Sequence, residues 1–348
     1  MLDLVVILIC SKKISMIKEV IVIIVCILFS HNLLAKNYEQ VALIAVSSQY
    51  DETKISKIKS TLEKANYLVT TKYLNQVVSD FGYVNTDEER AKNLINALKD
   101  KQIDIIWFVK GGGGGINLLP YLYEVKNKLT IVSPKLVVGF SDVTAIHTFI
   151  NEELGWKSMH GVVASYNEEI IPNDGEKPII NDLEPLPDIL SITQNGIQYE
   201  NIEPLNKQAR KEIAGELRGG NLTLITSLFS TRFEPNLKNK VLIIEDVGVS
   251  FRQLDRTLHQ LLYKKEFDIK GIIFGQFYPL DPRDEQRLIY KSVIKRFAEQ
   301  VNKPVYYYPF IGHGRKNKPV LLGNNVTIKC DNKSAYCTLS QPGITTKN

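Results

Sequence analysis

Residues 104–109 (DIIWFV) run, after a single lysine, straight into five consecutive glycines, 111–115. This junction constrains the fold more than any other stretch of the chain. An apolar run without alternation reads as a strand buried on both faces, the habit of a parallel sheet covered by helices. The glycines at its end permit φ > 0 and can turn several N–H groups toward one point, making an anion nest. The plainer alternative is a flexible turn. The surrounding sequence repeats the pattern. Residues 41–46 (VALIAV), 67–72 and 136–138 read as strands, and 52–65, 87–99 and 142–151 as helices. The segment 87–99 (DEERAKNLINALK) opens on acids and closes on a lysine, as the helix dipole favours. Alternation of this kind predicts an α/β fold whose N-terminal part is a mostly parallel sheet with flanking helices.

The pattern breaks near Tyr166. Residues 167–211 are rich in Pro, Asn, Glu and Ile without long periodicity and read as a linker. Regularity returns with helices at 222–229, 251–264 and 284–300 and strands at 241–244 and 271–274, which predicts a second, C-terminal α/β-type domain. At 348 residues the chain is long enough for two packed domains. The expected division is 36–165, 166–212 as linker, and 213–348.

The first 35 residues read as a leader. Residues 20–29 (VIVIIVCILF) are all apolar, Lys18 precedes them, and Leu33-Leu34-Ala35 follows. That is the layout of a cleavable secretory signal peptide, and the run is shorter than the ~20 residues of a membrane span. An uncleaved anchor is the alternative. Read from Met16 the leader is compact, so Met16 is the expected true start. The expected location is the periplasm, with no stable membrane insertion after cleavage. Cleavage removes three lysines, Asp3 and Glu19 and changes the net charge from +5 to +4. So mild a charge, without a basic block, gives no sign of nucleic acid as partner. Four cysteines are too few for a cysteine-rich zinc module. The two beyond the leader, Cys330 and Cys337, flank a turn-forming cluster between β-prone segments. A disulfide across that hairpin and two free thiols are both open.

Several residues are suited to chemistry. Gly139-Phe140-Ser141-Asp142 lies between a strand and a helix, where a serine projects out of the sheet toward free N–H groups. This has the logic of a nucleophile elbow, although Val143 stands in place of the last glycine of G-x-S-x-G; an ordinary helix N-cap is the alternative. Glu245 ends the buried strand 241–244, as a functional carboxylate or a solvated strand end. His313 lies between Gly312 and Gly314 on a polar loop, placed to act as a base. His147 and His259 fall inside helices and read as packing or surface residues, while His160 precedes Gly161 and could shape a cleft. The order Ser…Glu…His supplies what serine hydrolysis needs: an imidazole to take the hydroxyl proton, and a carboxylate to fix its tautomer.

Taken in order, these pieces resemble the LD-carboxypeptidase family of serine peptidases, the murein tetrapeptide carboxypeptidases. Lys110-Gly111-Gly112-Gly113-Gly114 with Leu118-Leu119-Pro120 is similar to the family's R-G-G-Y-G…R-L-L-P. Val138-Gly139-Phe140-Ser141-Asp142-Val143-Thr144-Ala145 is similar to G-[YF]-S-D-x-T-A, and His160-Gly161 to H-G-P. Gly219-Gly220-Asn221-Leu222, Ile244-Glu245-Asp246, Leu254-Asp255-Arg256 and Gly312-His313 with Leu322-Gly323 follow in sequence. The resemblance implies Ser141 as nucleophile, His313 as general base and Glu245 as its orienting carboxylate. It implies an oxyanion hole from the N–H of Asp142 and one near Gly112, with Gly111, Gly113 and Gly114 facing substrate. It also implies peptidoglycan stem peptides as substrate, no metal or organic cofactor, and often a homodimer. Lys110, Gly113, Asn117, Val162 and Val249 depart from the family pattern. A glycine loop without its arginine and tyrosine implies action on longer or cross-linked peptides as well. The competing readings are an immunity-type hydrolase of a peptide-nucleotide antibiotic and a non-catalytic wall-peptide binding protein.

Overall fold

Strand β1 (Gln40–Ile44) puts Val41 and Leu43 on one face of a sheet and Ala42 and Ile44 on the other, and each is fully buried. Strand β3 (Ile105–Phe108) does the same, with Trp107 on one side and Ile106 and Phe108 on the other. These two faces explain the unbroken apolar runs in the sequence. The computed structural model describes residues 39–77, 79, 81–165, 186–265, 267–278, 286–331 and 333–344. The expected leader and residues 166–185 of the expected linker lie outside the described residues.

β1 and β3 belong to a six-stranded sheet with β2 (Leu68–Tyr73), β4 (Leu136–Gly139), β5 (Ser158–His160) and β11 (Val320–Leu322), in the order β11-β5-β4-β3-β1-β2. β1 to β5 pair in parallel, and β11 joins β5 antiparallel. Helices α1 (Ile55–Lys64), α2 (Asp87–Lys99), α3 (Leu119–Leu129) and α4 (Thr144–Glu153) flank it. Helix α2 has the predicted bounds for a local reason. Thr86 caps it by accepting from the Glu89 N–H, three acids fill its first turn, and Lys99 closes the last. Its buried stripe, Ala91, Leu94, Ala97 and Leu98, packs on the sheet.

The second sheet is a closed barrel in the order β10-β6-β13-β12-β7-β8-β9. Its members are β6 (Ile197–Pro204), β7 (Ile213–Asn221), β8 (Val241–Glu245), β9 (Gly271–Phe274), β10 (Val305–Tyr307), β12 (Asn325–Cys330) and β13 (Cys337–Gln341). The run β7-β8-β9-β10 is parallel; β12, β13 and β6 close the barrel antiparallel. Helices α6 (Leu222–Ser227), α7 (Phe251–Tyr263) and α8 (Gln286–Gln300) accompany it. Ile243, Ile273, Tyr306, Ile328 and Leu339 share one core cluster, while Leu242, Ile244, Ile272 and Phe274 join the helices in another. The fold is α/β, as expected, with the C-terminal part closed into a barrel.

The stretch read as linker contributes regular structure: α5 (Ile189–Asn195) and the barrel strand β6. Within β6 only Ile202 is fully buried, so its apolar period is faint in sequence. The hairpin β12–β13 sets Cys330 opposite Cys337, and the two are joined by a disulfide.

Candidate active site

Strands β4 and β8 deliver their C-terminal ends to one place, as open α/β sheets do at their ligand crevices. Leaving β4, the chain turns at Gly139, where a Cβ would lie 3.1 Å from Val143 and 3.2 Å from Phe108. The bare backbone at Gly139 leaves room for the Val143 side chain. Phe140 is extended, and Ser141 has φ 64° before a short 3-10 turn, Ser141–Val143, leads into α4. A serine in the left-handed region is strained, and such strain gathers at functional turns. Its side chain makes no cap, so the N-cap alternative is not realised.

The hydroxyl meets the loop after β10 instead. Ser141 Oγ lies 2.9 Å from His313 Nε2, and His313 Nδ1 lies 2.6 Å from Glu245 Oε2. The structure thus joins the three sequence-derived residues in one hydrogen-bonded line spanning both sheets. Glu245, at the end of β8, is fully buried, and the His313 side chain keeps 16% exposure. The glycines around His313 are there for close approach. A Cβ on Gly312 would sit 2.7 Å from Glu245 Oε2, and one on Gly314 1.8 Å from Gln276 Oε1. Asn317 holds the loop by accepting from the Gly312 N–H at 2.9 Å. The Phe140 ring packs on the imidazole, with centroids 4.8 Å apart.

Electrostatics follow from this burial. Desolvation opposes ionisation of Glu245, but His313 and His160 outweigh it and hold the carboxyl down at about 2. His313 is raised above the ordinary histidine value. Burial works against its protonation, and the Glu245 charge and hydrogen bond, with Asp246 behind them, overcome that. A negative carboxylate on Nδ1 fixes the proton there and leaves Nε2 to accept from Ser141.

The glycine loop lies beside this line. A Cβ on Gly111 would be 3.1 Å from Ser141 Cβ, so the loop backbone borders the hydroxyl. Gly112 and Gly114 take φ 127° and 93°. A Cβ on Gly112 would strike Ser48 Oγ at 1.9 Å, and one on Gly114 would meet Arg90 at 2.8 Å and Tyr83 at 3.0 Å. The loop is therefore enclosed rather than a loose turn. A Cβ on Gly113 would lie 3.5 Å from the Tyr83 ring, so an aromatic side chain reaches this place from another segment. The Gly115 N–H donates to Asp142 Oδ2 at 2.7 Å, and Ser47 Oγ donates to the same oxygen at 2.6 Å. Burial pushes the Asp142 carboxyl up despite those bonds.

The sequence reading missed Ser47, Tyr83 and buried Arg90, whose guanidinium bonds Val46 O and Asp87. None lies in a motif; only the fold brings them under the loop. His160, in sequence a cleft-shaping residue and part of the His-Gly pair, lies with its Nε2 3.5 Å from Glu245 Oε1. His147 is a packing residue as expected, buried with Nε2 2.8 Å from Gly139 O.

Residues 41–161 match the family model for the LD-carboxypeptidase N-terminal domain, and 214–328 the model for the C-terminal domain. The murein tetrapeptide carboxypeptidase of Pseudomonas aeruginosa is 27% identical over 249 residues, covering 70% of this chain and 78% of that protein. The microcin C7 self-immunity protein MccF of Escherichia coli is 26% identical over 289 residues, 75% of this chain and 81% of that one. The solved structure of a muramoyltetrapeptide carboxypeptidase from Oxalobacter formigenes shares the fold, with a TM-score of 0.69 at 19% identity, over 88% of this chain and 99% of that chain. With both domain models matched in order along one shared fold, the chain belongs to the LD-carboxypeptidase family of peptidases.

Proposed function

We propose that the protein is a serine LD-carboxypeptidase that hydrolyses the amide between meso-diaminopimelate and the terminal D-alanine of peptidoglycan tetrapeptide stems, leaving tripeptides. The observation that carries this reading is His313, bonded at once to Ser141 Oγ and to buried Glu245. His313 Nε2 takes the Ser141 proton as Oγ attacks the amide carbon. The oxyanion that forms faces the N–H groups of Asp142 and Gly112. His313 then gives its proton to the nitrogen of the departing D-alanine, and the C–N bond breaks to leave an acyl-enzyme on Ser141. Water attacks that ester with His313 again as base, which restores the serine and releases the tripeptide. Glu245 stays ionised throughout and supports the imidazolium.

Export to the periplasm fits the apolar stretch at 20–29 and the Cys330–Cys337 disulfide, a bond that persists in oxidising compartments. Glycine at 113, with Lys110 and Asn117 in place of arginines, favours action on longer or cross-linked peptides too. The similarity to MccF supports a second reading, hydrolysis of a peptide-nucleotide amide, which requires the enzyme in the cytoplasm. Mass spectrometry of muropeptides incubated with purified protein, together with cell fractionation, separates these. Loss of one alanine from tetrapeptide, in periplasmic material and absent with Ser141→Ala, is the expected result. Intact muropeptides with wild-type protein would overturn the wall-peptide reading. Trimming of tetrapeptide with pentapeptide and cross-linked dimers untouched would overturn only the action on longer and cross-linked peptides.

A further inference from the structure

Glu245 carries two imidazoles, and only one of them is accounted for. His160, the last residue of β5, is fully buried, and its Nε2 lies 3.5 Å from Glu245 Oε1. That is longer than an ordinary hydrogen bond. Yet neither ring nitrogen of His160, nor Glu245 Oε1, has any other hydrogen-bond partner among the described residues. Buried polar atoms are rarely left so, and these face one another across the junction of the two sheets.

Register holds His160 in place. On one side it pairs with Gly139 of β4, just before the Ser141 turn; on the other it pairs with Val320 of β11, just after the His313 loop. The Phe140 ring packs edge-on against His160 at 5.9 Å and against His313 at 4.8 Å, wedging both imidazoles. The charged and titratable groups around it are Glu245 from β8, His147 from α4, and His313 and Asp246 through the carboxylate.

We propose that His160 is a positioning residue for this active site, holding Glu245 Oε1 with its Nε2–H so that Oε2 stays on His313 Nδ1. The proposal rests on the Ser141–His313–Glu245 reading and deepens it. A carboxylate fixed through one oxygen can turn about its last bond and tilt off the imidazole plane. A donor on the second oxygen removes that freedom and leaves less room for a proton on Glu245 as the imidazolium forms. His160 touches neither substrate nor Ser141; it acts through Glu245.

The test uses full-length His160→Phe, His160→Gln and His160→Asn beside wild type. The readouts are the rate at which a fluorophosphonate probe labels Ser141 across pH and the kcat and KM for tetrapeptide. In His160→Phe we expect labelling and kcat to fall about 10- to 100-fold, as for a small misplacement of a catalytic group, with KM nearly unchanged. The acid limb should also move to lower pH, because Glu245 bears less on His313. In His160→Gln the amide nitrogen reaches the place of Nε2 and should restore the rate to within about threefold. The shorter side chain of His160→Asn should not. A folded His160→Phe with the wild-type rate and acid limb overturns the proposal. If that variant does not fold, equal rates in the Gln and Asn variants overturn it. Wild-type protein that the probe leaves unlabelled defeats the nucleophile reading itself; labelled wild type with unmoved variants defeats this proposal alone.

Discussion

Replacing Glu245 with glutamine removes one charge at nearly constant shape, and its effect can be worked from the geometry. Glu245 is fully buried and its Oε2 lies 2.6 Å from His313 Nδ1. When His313 takes the Ser141 proton, a unit positive charge forms beside a unit negative one. Two such charges about 4 Å apart attract by about 4 kcal/mol at an effective dielectric of about 20. That is worth about a thousandfold in rate. Glutamine also presents an N–H₂ donor to Nδ1, which drives the proton to Nε2 and leaves no acceptor for the hydroxyl. Glu245→Gln should therefore lower kcat by about 10³ to 10⁴ and leave KM within about threefold, since ground-state contacts to substrate are untouched. Alanine release from tetrapeptide, followed over pH, is the assay. In wild type the acid limb should lie above the ordinary histidine value of about 6.5, because His313 must lose its proton to act and Glu245 raises its affinity for it. In the variant whatever activity remains should have its limb at lower pH. A kcat within tenfold of wild type, or an unmoved limb, would refute the reasoning.

Three further predictions follow from the packing. Gly112→Ala sets a Cβ 1.9 Å from Ser48 Oγ at φ 127°, so it should lower stability by at least about 2 kcal/mol and abolish turnover; adding Ser48→Gly restores the space but not the φ, and so only part of the loss. Denaturant melts and alanine release check both. Cutting the Cys330–Cys337 bridge, by reductant or Cys337→Ser, frees a hairpin of sequence separation 7 and should lower stability by about 2 kcal/mol with little effect on kcat. His147 is buried and its pKa is depressed by desolvation to about 3, so it contributes stability that is present above about 6.5 and is lost as pH falls toward 3. His147→Gln keeps a donor for Gly139 O and takes up no proton. Unfolding free energies from urea melts between pH 6 and 4 should therefore fall less steeply for it, by on the order of 1 kcal/mol per pH unit.

Much of this was legible where burial or capping is written locally. β1, β3, β8 and β9 show as apolar runs because both their faces are covered, and α2 shows through Thr86, its acids and Lys99. The barrel was not legible. β6, β12 and β13 are half-exposed, and apart from the β12–β13 hairpin their partners lie far along the chain, as with Ile197 against Gln341 and Val326 against Gly215. No local signal encodes such pairings. At the site, Ser-Asp before a helix reads by itself as an ordinary cap sooner than as a nucleophile. What separates them is the φ of 64° and the contact with His313, both products of the fold. The five glycines were legible as a special loop, but their reason lay in distant residues: Ser48, Tyr83, Arg90 and Asp142 occupy the space that side chains at 112–115 would need. His160 was hidden more deeply, since its place on Glu245 depends on the register of β5 with β4 and β11.

The account turns on an ester forming at Ser141. Tetrapeptide mixed with the protein, quenched in acid within a turnover and digested, can be read by mass spectrometry of the peptide that contains Ser141. That peptide should gain the mass of the acyl tripeptide in wild-type protein, in step with alanine release, and neither signal should appear in Ser141→Ala. Alanine released by Ser141→Ala at the wild-type rate, without an adduct on either protein, would contradict it.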